Sequence, residues 1–415
     1  MVPFLRPKPP SLLALGDELQ AIEQSGIFSN YGPVNTRFET ALQQTMFADD
    51  GACVTVCNAT IGLMMAIRAV VERADAASGR LLGLGGRRYA LMPSFTFAAA
   101  ALAADWAGLT PLFCDVDESD WAASAAAEEA LVARYGSDIA VIVPYATFGN
   151  TIDLGHYERL SARTGIPVVI DAAASLGSLD AFGRAFGAGS RFPIVYSMHA
   201  TKTFSTAEGG VIHSTDLELI DTLRVMGNFG FGAPRSVTAP GLNAKLGEIS
   251  ALLALARLRE LETVVTHREN LALLYRASLP GWVFQELHGV RCAYQFMPLL
   301  LPPELDGRRD MIVAELKAAG VGAACYFAPH VAEHPFFRLR AVCGDLSVTE
   351  RISRRILSLP IWDEMTSEMV ATVCDTLLKV CRSHMAVTAQ DATTFLPAAP
   401  RPTVAHDWTG LARAS

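Results

Sequence analysis

The chain has 415 residues, 51% hydrophobic and 18% charged, with a formal net charge of -8. That apolar content can bury a large core, and the absence of a basic excess argues against nucleic acid or an anionic membrane as partner. The opening MVPFLRPKPPSLLALGDELQ has no secretory h-region, no stretch of about 20 apolar residues follows, and eight cysteines lie without C-x-x-C spacing. A cytoplasmic protein with reduced thiols, no zinc site and no disulfide framework is therefore expected.

In chain order, an N-terminal arm and helix are expected over residues 1–29. Apolar runs bounded by turn residues then alternate with helical patterns: ACVTVC (52–57), YALMP (89–93), TPLFCDVD (110–117), IAVIVPY (139–145), IPVVIDAA (166–173), FPIVYS (192–197) and GGVIHS (209–214). Runs this continuous read as strands buried on both faces. They predict an α/β large domain over 30–244, a three-layer arrangement around a mainly parallel sheet. Residues 245–279 keep apolar positions at helical spacing, which predicts a long helix leading into a smaller α+β C-terminal domain that ends near 387. CAYQFMPLLL (292–301), GVGAACYFAP (320–329) and ILSLPIW (356–362) supply the strand-like runs of that domain. Residues 388–415 are rich in Pro, Ala and Thr and are expected to form a flexible tail.

Open α/β sheets gather function at the carboxyl ends of their strands. After ACVTVC come Asn58, Ala59 and Thr60 at the start of a helical run, a place where backbone N–H groups favour an anion, although an ordinary N-cap looks the same. After YALMP, Phe95 and Phe97 offer aromatic faces, which core packing would also explain. Asp171 ends an otherwise apolar strand, and a buried carboxylate is costly without a cationic partner. Beyond FPIVY, Ser197 and Lys202 stand on a turn closed by Gly209 and Gly210. Lysine is scarce, with only Lys8, Lys202, Lys245, Lys317 and Lys379 in the chain. Unlike arginine it can lose its proton and condense with a carbonyl. An anion site, an aromatic plate, a buried acid and a turn lysine together suit pyridoxal 5'-phosphate (PLP), which has a phosphate, a flat ring, a basic ring nitrogen and an aldehyde.

The motifs NYGPVNTRFE (30–39), NATIGL (58–63), PSFTF (93–97), PLFCDVD (111–117), IDAAASLGS (170–178), SMHATKTFSTAEGG (197–210) and GLNAKLGEISA (241–251) resemble, in order, those of the DegT/StrS family of PLP-dependent nucleotide-sugar aminotransferases, whose fold is aspartate aminotransferase-like. The resemblance implies that Lys202 carries the cofactor as a Schiff base and moves protons, and that Asp171 pairs with the ring nitrogen. It further implies that Ala59, Thr60 and Ser197 hold the phosphate, that Phe97 stacks on the ring, and that Asn243 reaches the phosphate from a neighbouring subunit, giving a homodimer with shared sites. The implied reaction moves an amino group from an amino acid donor, glutamate in most of the family, to the keto group of a nucleotide-linked sugar. Two other readings stay open: a sugar or cyclitol dehydratase of the same family, and a non-catalytic regulatory protein, against which an intact Lys202 and Asp171 argue. The chain departs from the family pattern at two places. Ala174 stands where a Gln or His usually contacts the cofactor's phenolic oxygen, leaving water or a neighbour such as Asn58 to supply that contact. In YFAPHVAEHP, Ala332 takes the place of the usual histidine, with His330 and His334 displaced.

Overall fold

The computed structural model describes residues 1–78 and 88–394. The N-terminal part carries α1 (Gly16–Ser25), α2 (Pro33–Met46), β1 (Ala52–Val56) and α3 (Ala59–Ala77). Then follow β2 (Tyr89–Pro93), α4 (Ala98–Trp106), β3 (Thr110–Cys114), α5 (Ala125–Tyr135), β4 (Ile139–Ile142), α6 (Leu154–Thr164), β5 (Ile170–Asp171), β6 (Ile194–Ser197), β7 (Gly210–Ser214) and α7 (Leu217–Gly227). Each predicted run of the large domain contributes a strand. The ladders run β1-β7-β6-β5 and β10-β3-β2-β4, where β10 is Val342–Cys343. Parallel bridges Ile142↔Val168 and Tyr145↔Asp171 join the two ladders into one sheet. Only β7 runs against its neighbours, so the sheet is mainly parallel. Val54, Val56, Leu91, Leu112, Val141, Ile170 and Val195 are fully buried because helices cover both faces.

The long helix is α8 (Glu248–Ser278), which packs on α2 and leads to β8 (Val283–Phe284), β9 (Met297–Leu300), α9 (Arg309–Ala318), α10 (Ser347–Arg355), β11 (Ile356–Leu359) and α11 (Ser367–Thr394). Strands β11, β9 and β8 form a small antiparallel sheet. GVGAACYFAP does not form a strand; it holds only isolated bridges, Val2↔Val321 and Ala324↔Ser358, because Tyr326 and Phe327 turn into an aromatic cluster with Phe95, Phe148 and Phe296. Beyond the pattern read from the sequence, β10 pairs in parallel with β3 and adds C-terminal chain to the edge of the large sheet. The arm at the N-terminus reaches the other way: Val2 bridges Val321, and Trp362 Nε1 donates to the Pro3 carbonyl at 3.2 Å. Helix α11 continues past residue 387 to Thr394, since Ala and Gln in AVTAQDATT favour a helix and the first proline after it is Pro397. The remainder of the expected tail, 395–415, lies outside the described residues. All eight cysteines are free. Among the described residues no helix is long and apolar enough to cross a membrane.

Candidate active site

The registers of β1, β7, β6 and β5 put the chemistry on one edge of the sheet. Gly210 pairs with Val56 on one side and with Ser197 on the other, and Asp171 pairs with Val195 on the next strand. A side chain at Gly210 could not fit: an added Cβ would lie 2.9 Å from the Ala59 nitrogen and 3.0 Å from the Asn58 carbonyl carbon, so glycine is what lets the start of α3 lie against the sheet. At that start Asn58 Oδ1 accepts the Ile61 N–H at 3.0 Å and the Asn58 carbonyl accepts the Gly62 N–H at 3.1 Å. The first-turn N–H groups of Ala59 and Thr60 are left at the positive end of the helix dipole, where an anion is favoured. Ser197 Oγ accepts the His199 N–H at 3.3 Å, which leaves its own hydroxyl proton to donate. Of the two aromatic candidates, Phe95 is fully buried in the cluster with Phe148 and Phe327, whereas Phe97 at the start of α4 is 56% exposed and presents a free ring.

Asp171 is buried, and among the described residues its carboxylate accepts one hydrogen bond, from the Ala173 N–H at 3.1 Å. Burial raises its pKa to about 6, against the hydrogen bond from Ala173 and the positive charge of Lys202. The opposite displacement affects Lys202: burial lowers its pKa to about 8, partly offset by Asp171. The two groups are thus moved towards one another and towards neutral pH, as perturbed pairs in clefts are at functional sites.

Two further features of the site come from sequence far from these motifs. Lys202 Nζ donates to Gln295 Oε1 at 3.0 Å, and Gln295 is buried just before β9. The turn itself is gripped by a buried ion cluster. Arg257 and Arg268 share the carboxylate of Asp363, at 2.6 Å and 2.7 Å. Arg257 also donates to the Thr203 carbonyl at 2.6 Å, and Arg268 donates to Thr203 Oγ1 at 3.2 Å and to the Tyr294 carbonyl at 3.0 Å. The cluster therefore holds both the residue after Lys202 and the residue before Gln295. One polar residue in the apolar run CAYQFMPLLL was the available sign of the first contact. The sign of the second was the 11-residue spacing of Arg257 and Arg268, about three helical turns and so one face of α8.

Asn243 is not brought to this cluster. It is exposed, and its Oδ1 accepts from Lys245 Nζ at 2.7 Å on a loop that also exposes Phe229, Val237 and Leu242. His330 is buried, with Nδ1 2.7 Å from Ser94 Oγ, and His334 Nε2 lies 3.2 Å from the Pro329 carbonyl.

Residues 15–378 match the DegT/DnrJ/EryC1/StrS aminotransferase family. Protein Rv3402c of Mycobacterium tuberculosis H37Rv is 32% identical over 379 residues, 90% of this chain and 88% of that protein. The dTDP-4-amino-4,6-dideoxy-D-glucose transaminase of Escherichia coli is 25% identical over 384 residues, 91% of this chain and 98% of that enzyme. A crystal structure assigned to a PLP-dependent aminotransferase of Bacillus cereus ATCC 10987 superposes with a TM-score of 0.84 at 36% identity, covering 91% of this chain and 99% of that one. Matched along nearly its whole length in both sequence and fold, the chain belongs to the DegT/DnrJ/EryC1/StrS aminotransferase family, and its cofactor is pyridoxal 5'-phosphate.

Proposed function

We propose that the protein transfers an amino group from an amino acid, glutamate, to the keto carbon of a nucleotide-linked sugar, with Lys202 as the residue that carries PLP. The observation that supports this most directly is the pairing of buried Asp171 with half-buried Lys202, one an acid with a single hydrogen bond and the other an amine with its pKa near 8. A pyridinium N–H is the cation that such a sparsely bonded carboxylate needs. The uncapped N–H groups of Ala59 and Thr60 beside the Ser197 hydroxyl suit a phosphate, and the Phe97 ring suits a flat heterocycle.

When bound, PLP supplies an electron sink for the pair released at the donor's α-carbon. Asp171 holds the proton on the ring nitrogen, which keeps that sink strong. Ala59, Thr60 and Ser197 anchor the phosphate and fix the ring's position, while Phe97 covers one face. Lys202 Nζ binds the cofactor through its amine. As a free amine, that same nitrogen would take the proton from the donor's α-carbon and return it to the cofactor's C4' carbon, which its pKa near 8 permits around neutral pH. The nucleotide-sugar transaminase relative in E. coli supports the choice of acceptor. Incubating enzyme, PLP and glutamate with a panel of nucleotide-linked keto sugars should give, by mass spectrometry, one product in which a keto oxygen has become an amine, together with 2-oxoglutarate. Loss of oxygen without gain of nitrogen would replace transamination by dehydration.

We also propose a homodimer whose sites are shared, with the exposed loop bearing Asn243 reaching the neighbouring subunit's phosphate. Equal amounts of Lys202→Ala and Asn243→Ala chains, each inactive alone, are expected to recover about a quarter of wild-type activity after subunit exchange. Random pairing makes half the dimers mixed, and each mixed dimer holds one intact site. No recovery after proven exchange would mean that each subunit completes its own site.

A further inference from the structure

We propose that Gln295 makes the hydrogen bond to the cofactor's phenolic oxygen that Ala174 cannot make, and that it also holds the Lys202 amine when the cofactor is absent; this rests on reading Lys202 as the cofactor's anchor. Ala174 is buried and ends in a methyl group. The segment that carries Gln295 runs beside the Ala174 loop. Ala293 N–H donates to Ser178 Oγ at 3.0 Å, and Thr203 Oγ1 donates to the Ala293 carbonyl at 2.8 Å. A Cβ placed on Gly149 would lie 3.0 Å from the Ala174 carbonyl oxygen and 3.1 Å from the Tyr294 nitrogen, so one glycine separates the two segments.

Chemistry then fixes what Gln295 can reach. The phenolic oxygen of PLP sits on the ring carbon next to the one bearing the aldehyde, the carbon to which the lysine nitrogen joins. The carbon on the other side bears the phosphate arm, whose place at the start of α3 is already assigned to Ala59 and Thr60, so a side chain within hydrogen-bond distance of Lys202 Nζ has the phenolic oxygen within its reach. Gln295 Oε1 takes the lysine at 3.0 Å, while its Nε2 makes no hydrogen bond among the described residues and keeps its donors for a second acceptor. Asn58, the neighbour expected to serve instead, is engaged: its Oδ1 caps α3 and its Nδ2 lies 3.8 Å from Cys57 Sγ. The charged groups around the lysine's turn are Asp171 from β5, Arg257 and Arg268 from α8 with Asp363, and the His199 and Glu208 pair on its own loop, 3.5 Å apart. None of them is altered by substituting Gln295.

The test uses the full chain with and without PLP. In the unloaded chain, pH-resolved amine labelling followed by peptide mass spectrometry reads the titration of Lys202, which should centre near 8 in wild type. Gln295→Leu removes the acceptor that favours the charged amine and should lower that midpoint by about half to one pH unit. Gln295→Glu, close in shape, places an anion there and should raise it. In the loaded chain the sign reverses for leucine. Loss of a donor to the phenolic oxygen disfavours the form with the less compensated negative oxygen, so the pH midpoint of the bound cofactor's visible absorbance should rise by a similar amount. Adding Ala174→Gln to Gln295→Leu should bring the loaded midpoint back towards wild type. A loaded midpoint that does not rise in Gln295→Leu overturns the proposal while leaving Lys202 as the anchor. Wild-type chain that takes up no PLP on Lys202 overturns the reading of the site and the proposal together.

Discussion

Replacing Lys202 with alanine is expected to lower turnover by roughly 10⁴-fold or more and to leave a folded chain. On the proposed function the loss combines two roles of one nitrogen, the covalent hold on the cofactor and the proton transfer at the donor's α-carbon. Folding should not suffer, because the desolvated amine of this half-buried lysine is itself a burden. Its pKa in the fold, about 8, lies below the unfolded value, so its contribution to stability is present above the ordinary lysine range and is lost as pH falls through 8. Asp171 behaves in mirror image. With a folded pKa of about 6, its contribution is present below the ordinary carboxylate value and is lost as pH rises through 6. At neutral pH both groups are charged and both oppose folding until a ligand arrives. The unloaded Lys202→Ala chain should therefore melt no lower than unloaded wild type at pH 7. Borohydride reduction with PLP should give a stable adduct on wild type and none on the variant. An adduct on the variant would move the anchor to another lysine such as Lys245.

Asp363→Ala is expected to be the most damaging single change to stability, at about 3–5 kcal/mol, because it removes the carboxylate that two buried guanidinium groups share and leaves Arg257 only its 3.5 Å contact to Glu260. Arg257 and Arg268 are 1% and 5% exposed, and burial already pulls the Arg268 pKa below its ordinary value. Burial would raise the Asp363 carboxyl, yet Arg268 and Arg257 together hold it below its usual range. Its contribution is thus present above the ordinary carboxylate value and lost as pH falls through the lower folded one, so variant and wild type should converge in acid. Urea unfolding across pH measures both effects. A variant with the wild-type midpoint at pH 7 would mean that water or another acid satisfies the arginines.

The large domain and much of the candidate site were legible in the sequence for one physical reason: a parallel sheet covered on both faces demands short continuous apolar runs, and its chemistry must follow those runs. Asp171, Ser197 and Lys202 are found that way, as residues just past IPVVI and FPIVY. Gln295 was hidden because a strand-like run says nothing about which distant lysine its one polar residue will meet, 93 residues away. Arg257 and Arg268 were hidden among other arginines of a long helix, where only burial separates a structural cation from a solvated one. GVGAACYFAP misled because composition alone cannot tell a strand from a segment whose aromatic rings are drawn sideways into a cluster.

The buried ion cluster has a consequence for how the chain is made. Synthesis delivers Lys202 and Thr203 first, then the two arginines, and Asp363 only after most of the small domain has been translated. Until that carboxylate emerges, Arg268 lacks the counterion it has in the finished fold and Arg257 keeps only the longer contact to Glu260, at 3.5 Å. The strands of the large domain all precede Asp363 in the chain, whereas the turn that carries Lys202 draws on a carboxylate 161 residues after it. A product truncated before Asp363 would leave that turn without the carboxylate that binds both arginines.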